Sequence, residues 1–232
     1  MKGVIIAGGN GTRLRPLTLV TNKQLLPIYD KPMILYPIET LVSLGVTDML
    51  LISNGESIGT FMQFLGDGSE YGVTLTYKVQ KVAGGIAQAL GLARDFAHGE
   101  QVAVILGDNI FDNEGLVQTA FASDLAYIYV KEVENASRFG VLLDGAIVEK
   151  PAGVGLGKAV TGLYVYPRDV FDIIDTLVPS ARGELEITDV NNVYLQQKRC
   201  VTRDANLFWA DAGTPDSLLA IGNHIYEKRK TK

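Results

Sequence analysis

Metal-binding sulfur and imidazole are scarce in this chain: its 232 residues include one cysteine, Cys200, and two histidines, His98 and His224. A lone cysteine closes no internal disulfide, and no Cys/His zinc spacing can be built from so few ligands, so a reducing compartment is expected. Basic charge is also short. Lys and Arg number 21 against 26 Asp and Glu, a formal net charge of −5, which argues against a nucleic-acid polymer gripped by a broad basic surface. No apolar run approaches the ~20 residues that cross a bilayer, and Met1-Lys2-Gly3 enters a strand directly, without the apolar core of a signal peptide. Repeats, linkers and low-complexity stretches are missing too. A soluble, cytoplasmic, single-domain protein with small-molecule partners is the expectation.

The informative stretch is Val4-Ile5-Ile6-Ala7-Gly8-Gly9-Asn10-Gly11-Thr12-Arg13-Leu14, an apolar strand running into a glycine turn that ends on an arginine. Glycines let backbone N–H groups approach an anion with no Cβ in the way, and Arg13 adds a fixed charge and a planar fork of donors. The Walker pattern is excluded because no Gly-Lys-Ser/Thr closes the turn. The dinucleotide fingerprint is excluded because Leu14 stands where it needs glycine. A plain glycine-rich β-turn is the bland alternative.

Downstream, apolar residues alternate between strand and helix periods. Helices are expected at Pro32 to Leu44, Ile58 to Leu65 and Ile86 to Ala97, with strands at Met49 to Ile52, Val73 to Val79 and Val102 to Leu106. This rhythm predicts an α/β fold, a mostly parallel mixed sheet covered by helices. Strands are expected again at Tyr127 to Val130, Phe139 to Leu143 and Val160 to Tyr166, with Asp144-Gly145 turning a hairpin before Ile147-Val148. Helices follow at Val170 to Leu177, Val190 to Gln197 and Pro215 to Lys228, the last capped by Thr214. Ligands of such sheets bind beyond the carboxyl ends of the strands, which singles out Gly8 to Arg13, Gly84-Gly85 and Gly107-Asp108-Asn109.

Asp108 follows the apolar run Val102 to Gly107, which places a carboxylate at the sheet edge where a hard cation finds oxygen ligands; a turn-capping aspartate is the alternative. Asp211, after Phe208-Trp209-Ala210, is a second acid in a similar setting, and two carboxylates suffice for one Mg²⁺. Lys23, in Lys23-Gln24-Leu25-Leu26-Pro27, stands within reach of the same anion, against the ordinary alternative of a solvated lysine.

Together Gly8-Gly9-Asn10-Gly11-Thr12-Arg13-Leu14, Lys23 to Pro32, Leu106-Gly107-Asp108-Asn109-Ile110-Phe111 and Ala181 to Asp189 resemble the glucose-1-phosphate thymidylyltransferases, and the resemblance runs from Met1 to about Ile225. It implies a Rossmann-like nucleotidyltransferase domain, with a nucleotide-binding part over about 1–112 and a sugar-binding part over about 113–232. It also implies Mg²⁺-dependent condensation of dTTP with glucose 1-phosphate, in a dTDP-deoxysugar route such as one leading to rhamnose. By the same resemblance Gly8, Gly9, Gly11 and Thr12 hold the nucleotide, and Arg13 and Lys23 neutralise its phosphates. Gln24, Gln80 and Gly85 read the pyrimidine, while Asp108 and Asp211 hold the metal. Asn109, Gly140, Glu149, Val160 and Tyr164 contact the hexose, and the catalytic cations Lys150 and Arg182 its phosphate.

The chain departs from the family pattern at three places. Lys81-Val82-Ala83-Gly84-Gly85 lacks an acid before its second glycine, Phe139 replaces a tyrosine, and the helical extension of longer members does not follow Lys232. Weak feedback control and a monomer or small homo-oligomer are therefore expected. Two other readings remain open: a UTP-dependent uridylyltransferase on a sugar 1-phosphate, and a sugar-nucleotide sensor without turnover.

Overall fold

The computed structural model describes residues 1–113, 120–205 and 208–231. Its centre is β1 (Lys2–Ile6), whose alternating side chains serve both faces of the sheet. Val4 and Ile6 join one core; Ile5, with Ala7 just beyond the strand, joins the other. Parallel to β1 run β4 (Asp48–Asn54) on one side and β6 (Val102–Leu106) on the other, and β5 (Thr74–Gln80) extends the sheet beyond β4. Burial on both faces explains the continuous apolar runs of β1, β4 and β6.

The second half of the sheet is antiparallel. β11 (Gly157–Tyr166) pairs with β6, with β8 (Ala126–Val133) and with β9 (Gly140–Leu143), and β9 turns into β10 (Ala146–Glu149). Asp144 and Gly145 make that hairpin with φ of 48° and 81°, the two positive values a tight primed turn requires. The sheet is thus parallel through its first half and, β12 apart, antiparallel through its second, a more even mixture than alternation alone predicts. The sequence reading also lacks β12 (Cys200–Asp204), a half-exposed strand without apolar alternation that runs parallel to β8.

Helices α1 (Leu35–Ser43) and α2 (Ile58–Leu65) cover the Ile5 face, burying Ile38, Leu41, Phe61 and Leu65. The expected long helix after Gly85 divides into α3 (Ile86–Gly91) and α4 (Arg94–Ala97). Between them Leu92 and Ala93 bond back to Ala89 and Leu90, a tightened turn that leaves Gly91 against Ile174 of α5 (Val170–Thr176). With α6 (Ile187–Gln196), α3 and α5 close the Val4 face. Two short pairings complete the fold: β2 (Pro27–Ile28) with β3 (Lys31–Pro32), and β7 (Asn109–Phe111) with β13 (Trp209–Asp211). Helix α7 (Pro215–Lys230) opens with a Thr214–Ser217 capping box and Pro215, and seats Ile221 against Ile28, Met33 and Ile110. Among the described residues no helix is long and apolar enough to cross a membrane.

A small polar cluster ties α5 to α6. Burial works to raise the Asp169 carboxyl, yet the Arg199 guanidinium (2.7 Å) and the Tyr194 hydroxyl (3.0 Å) outweigh it and hold the carboxyl below its usual range. A lowered carboxyl contributes stability above about pH 4 that is lost as pH falls through its folded value. The pair is a third exposed, so under about 1 kcal/mol is at stake. Denaturant titrations from pH 3 to 7 should show Asp169→Asn with a shallower acid loss than the parent chain.

Candidate active site

Strand β1 lies where the sheet order reverses, with β4 to one side and β6 to the other, so the loops leaving β1 and β6 part and open a crevice. The loop after β1 carries Gly8 to Arg13, and the loop after β6 carries Asp108. Gly9 adopts φ 93°, a value only glycine takes freely, and a side chain at Gly8 would meet Gln80 Oε1 at 2.9 Å. Gly11 faces Thr18, which donates to its carbonyl at 2.8 Å, so this glycine shapes the turn rather than the cleft wall. Thr12 and Arg13 project beyond it, exposed.

The cleft has two chambers. One, of about 230 Å³, is walled by Gly8, Gly9, Gln24, Gln80, Gly85 and Asp108. The other, of about 690 Å³, is walled by Arg13, Glu149, Lys150, Tyr164, Arg182 and Asp211 among others. Glu184 lines both. Every nucleotide-side residue named from the sequence apart from Gly11 therefore borders one chamber or the other, and Asn109, Gly140 and Val160 border the larger.

The two acids meet through the β7–β13 ribbon. It sets Asn109 opposite Asp211, and the Ala212 N–H donates to the Asp108 carbonyl at 2.8 Å. Asn109 holds this corner together: its Oδ1 accepts from Trp209 Nε1 (2.7 Å) and the Gly162 N–H (3.0 Å), and its Nδ2 donates to Asp108 Oδ1 (3.2 Å). Its side chain is thus committed to orienting Asp108.

Lys23 forms an ion pair with Asp108. Burial works to raise the Asp108 carboxyl, but the Lys23 ammonium and the Asn109 amide prevail and keep it low. Asp211 has the opposite fate. Burial and the neighbouring Asp108 charge push its carboxyl up, only partly relieved by Arg13. Lys23, Arg13 and Arg138 surround the two acids, yet Asp211 remains raised beside the Asp108 charge, so the two carboxylates offer hard oxygen donors that a divalent cation would satisfy. Among the described residues no cluster of three or more His, Cys, Asp or Glu forms a closed metal cage. A carboxylate pair open to phosphate oxygens is the arrangement Mg²⁺ favours.

Across the larger chamber, Glu149 accepts from Thr188 Oγ1 at 2.6 Å and stands 3.4 Å from both Lys150 Nζ and Arg182 Nη2. Glu186 grips Arg182 at 2.8 Å and Glu184 approaches it at 3.6 Å, so three carboxylates aim one guanidinium. Lys150 sits at φ 46°, a left-handed conformation rare outside glycine, with its N–H bonded to the Phe139 carbonyl at 2.9 Å. Tyr164 is buried and stacks on Tyr166 at 5.6 Å, presenting little beyond a ring edge.

Sequence reasoning missed Arg138, whose Nη2 lies 3.9 Å from Asp211 Oδ1. It follows no strand and belongs to no glycine turn, so nothing in its local pattern marks it. Glu184 and Thr188 were inside a quoted motif but had been given no role.

A doubly wound sheet, a glycine turn at its switch point and cations ringing one buried and one half-buried acid define an α/β enzyme of the nucleotidyltransferase class. The nucleotidyl transferase family model matches residues 2–228. A glucose-1-phosphate thymidylyltransferase of Neisseria meningitidis is 41% identical over 94% of this chain and 80% of its own length. One from Mycobacterium tuberculosis is 43% identical over 97% of this chain and 82% of its own. Among solved structures, a Bacillus anthracis protein described as a glucose-1-phosphate thymidylyltransferase, in complex with sucrose, superposes with a TM-score of 0.89 at 44% identity, covering 97% of this chain and 94% of that one. A UDP-glucose pyrophosphorylase bound to UDP-glucose gives a TM-score of 0.85 at 25% identity, covering 98% of each chain. The chain belongs to the nucleotidyl transferase family, among its glucose-1-phosphate thymidylyltransferases.

Proposed function

We propose that the protein condenses dTTP with glucose 1-phosphate to give dTDP-glucose and pyrophosphate. The observation that carries this reading is the pair of chambers meeting beside Asp108 and Asp211, a small amide-lined one and a larger one flanked by Lys150 and Arg182. The smaller suits a base, with Gln80 offering an amide group and Gln24 buried behind the Gly8 carbonyl. The larger suits a hexose phosphate, with Glu149 for its hydroxyls and Lys150 and Arg182 for its phosphate.

A sugar-phosphate oxygen forms the new bond to the α-phosphorus as the bond from α-phosphorus to the bridging oxygen breaks, and pyrophosphate leaves with that electron pair. No covalent enzyme intermediate is needed, so the side chains serve to align two anions and to neutralise charge. Arg13 and Lys23 face the departing phosphates. Asp108 and Asp211 would hold Mg²⁺, which would supply positive charge beside the phosphates. Lys150 and Arg182 offset repulsion between the two substrates, and the carboxylates around Arg182 keep its fork from swinging away. We assign the protein to the cytoplasm, acting ahead of dTDP-deoxysugar formation.

The likeness to a UDP-glucose pyrophosphorylase supports the UTP-dependent reading as the competitor. Thymine differs from uracil by one methyl group, which discriminates by roughly ten- to two-hundredfold in an apolar pocket. Steady-state rates with glucose 1-phosphate should give a kcat/KM for dTTP above that for UTP by a factor in this range. A UTP value equal or higher would transfer the assignment to the uridylyl reaction.

A further inference from the structure

Gln80, at the end of β5, has an amide whose two ends have unlike surroundings. Its Nε2 donates to Gln88 Oε1 at 2.7 Å and to the Gly85 carbonyl at 3.4 Å. A backbone carbonyl only accepts, so this long contact favours nitrogen at that end of the amide, and the short bond to Gln88 Oε1 holds it there. Gln80 Oε1 is left on the Gly8 side of the small chamber, and no donor among the described residues reaches it. Gln88 sits on α3, half-buried, packed so closely on the Gly84 turn that a Cβ at Gly84 would lie 3.0 Å from its Cγ. Its own Nε2 makes no hydrogen bond within the described residues, so its one polar task there is to accept from Gln80.

We propose that Gln88 is a positioning residue for base selection. By engaging Gln80 Nε2 it presents Gln80 Oε1 to the chamber as a fixed acceptor, favouring a pyrimidine that carries N–H at ring position 3 over one with a lone pair there. Thymine and uracil are of the first kind and cytosine of the second. The inference rests on the nucleotide reading of this chamber given above. Without Gln88 the Gln80 amide keeps only the longer Gly85 contact and is free to turn over, and a turned amide offers N–H to the cytosine lone pair. The device therefore sets which base is accepted without touching the base itself.

The test compares kcat/KM for dTTP and dCTP, each with glucose 1-phosphate, in the parent chain and in Gln88→Leu, Gln88→Ala and Gln88→Glu. Leucine removes the acceptor at similar volume, and alanine serves should leucine disturb α3. Both are expected to lower the dTTP to dCTP ratio by about tenfold or more, through a raised KM for dTTP rather than a lowered kcat. Glutamate retains an acceptor for Gln80 Nε2 and should hold the ratio within about threefold of the parent value. An unchanged ratio in Gln88→Leu and Gln88→Ala, or an equal loss in Gln88→Glu, would overturn the inference while leaving the proposed function intact. Absence of turnover by the folded parent chain with either nucleotide would overturn both.

Discussion

Asp108→Asn is expected to lower kcat/KM for sugar-nucleotide formation by roughly 10²- to 10³-fold while the protein stays folded, the scale set by losing one preorganised electrostatic group. Asn109 and Lys23 hold the native carboxylate in place, so an isosteric amide keeps the corner filled. What it loses is the charge that pairs with Lys23 and would balance the proposed divalent cation. Asp211→Asn provides an instructive contrast. Its carboxyl is pushed up by burial and by Asp108, so at neutral pH the folded state carries an unfavourable charge. The amide should abolish activity comparably yet raise the thermal midpoint, a trade of stability for function located at one atom pair. Calorimetry and a coupled pyrophosphate assay on both variants check this, and a stabilised, fully active Asp211→Asn would contradict it.

Gly85→Ala is expected to cost roughly 2–4 kcal/mol, about 5–15 °C in thermal midpoint, and to raise the nucleotide KM. Gly85 adopts φ 97° and ψ 172°, a region only glycine occupies without strain. An added Cβ would also overlap the Leu185 carbonyl oxygen and stand 2.9 Å from its nitrogen. That backbone cannot yield, because Leu185 N–H donates to the Gly84 carbonyl (2.8 Å) and the Leu185 carbonyl accepts from Ala87 N–H (3.1 Å). These bonds strap the smaller chamber to the segment bearing Glu184 and Arg182, so one methyl group disturbs both chambers. Thermal denaturation with nucleotide titration measures the two effects together. A variant matching its parent in both would show that the strap bears no load.

The parallel half of the sheet was legible because β1, β4 and β6 are buried on both faces and announce themselves as apolar runs. Asp108 was legible for the same reason: it is the first charge after such a run. The antiparallel half was harder to read. β12 is half-exposed and lacks apolar alternation, so its partnership with β8 depends on tertiary contact. The helix after Gly85 divides at a tightened turn, where Leu92 and Ala93 bond back three residues, and nothing in the local pattern marks that break. In the site, the glycine turn and the two acids carried local signals, whereas Arg138 and Gln88 did not. Arg138 matters through its nearness to Asp211 and Gln88 through its grip on Gln80, and periodicity reports neither. Asn109 was visible as a polar residue at the sheet edge, but its commitment to Asp108, Trp209 and Gly162 appears only once β7 and β13 are paired.

In the proposed reaction one cleft brings a nucleoside triphosphate and a hexose 1-phosphate together for direct displacement at the α-phosphorus. Phosphorus NMR of the protein with Mg²⁺, dTTP and glucose 1-phosphate tests it most directly. Direct displacement gives equal growth of dTDP-glucose and pyrophosphate resonances, dependent on both substrates, with no orthophosphate formed. Nucleotide consumed without glucose 1-phosphate, or no new diphosphate diester from the folded protein, would contradict it.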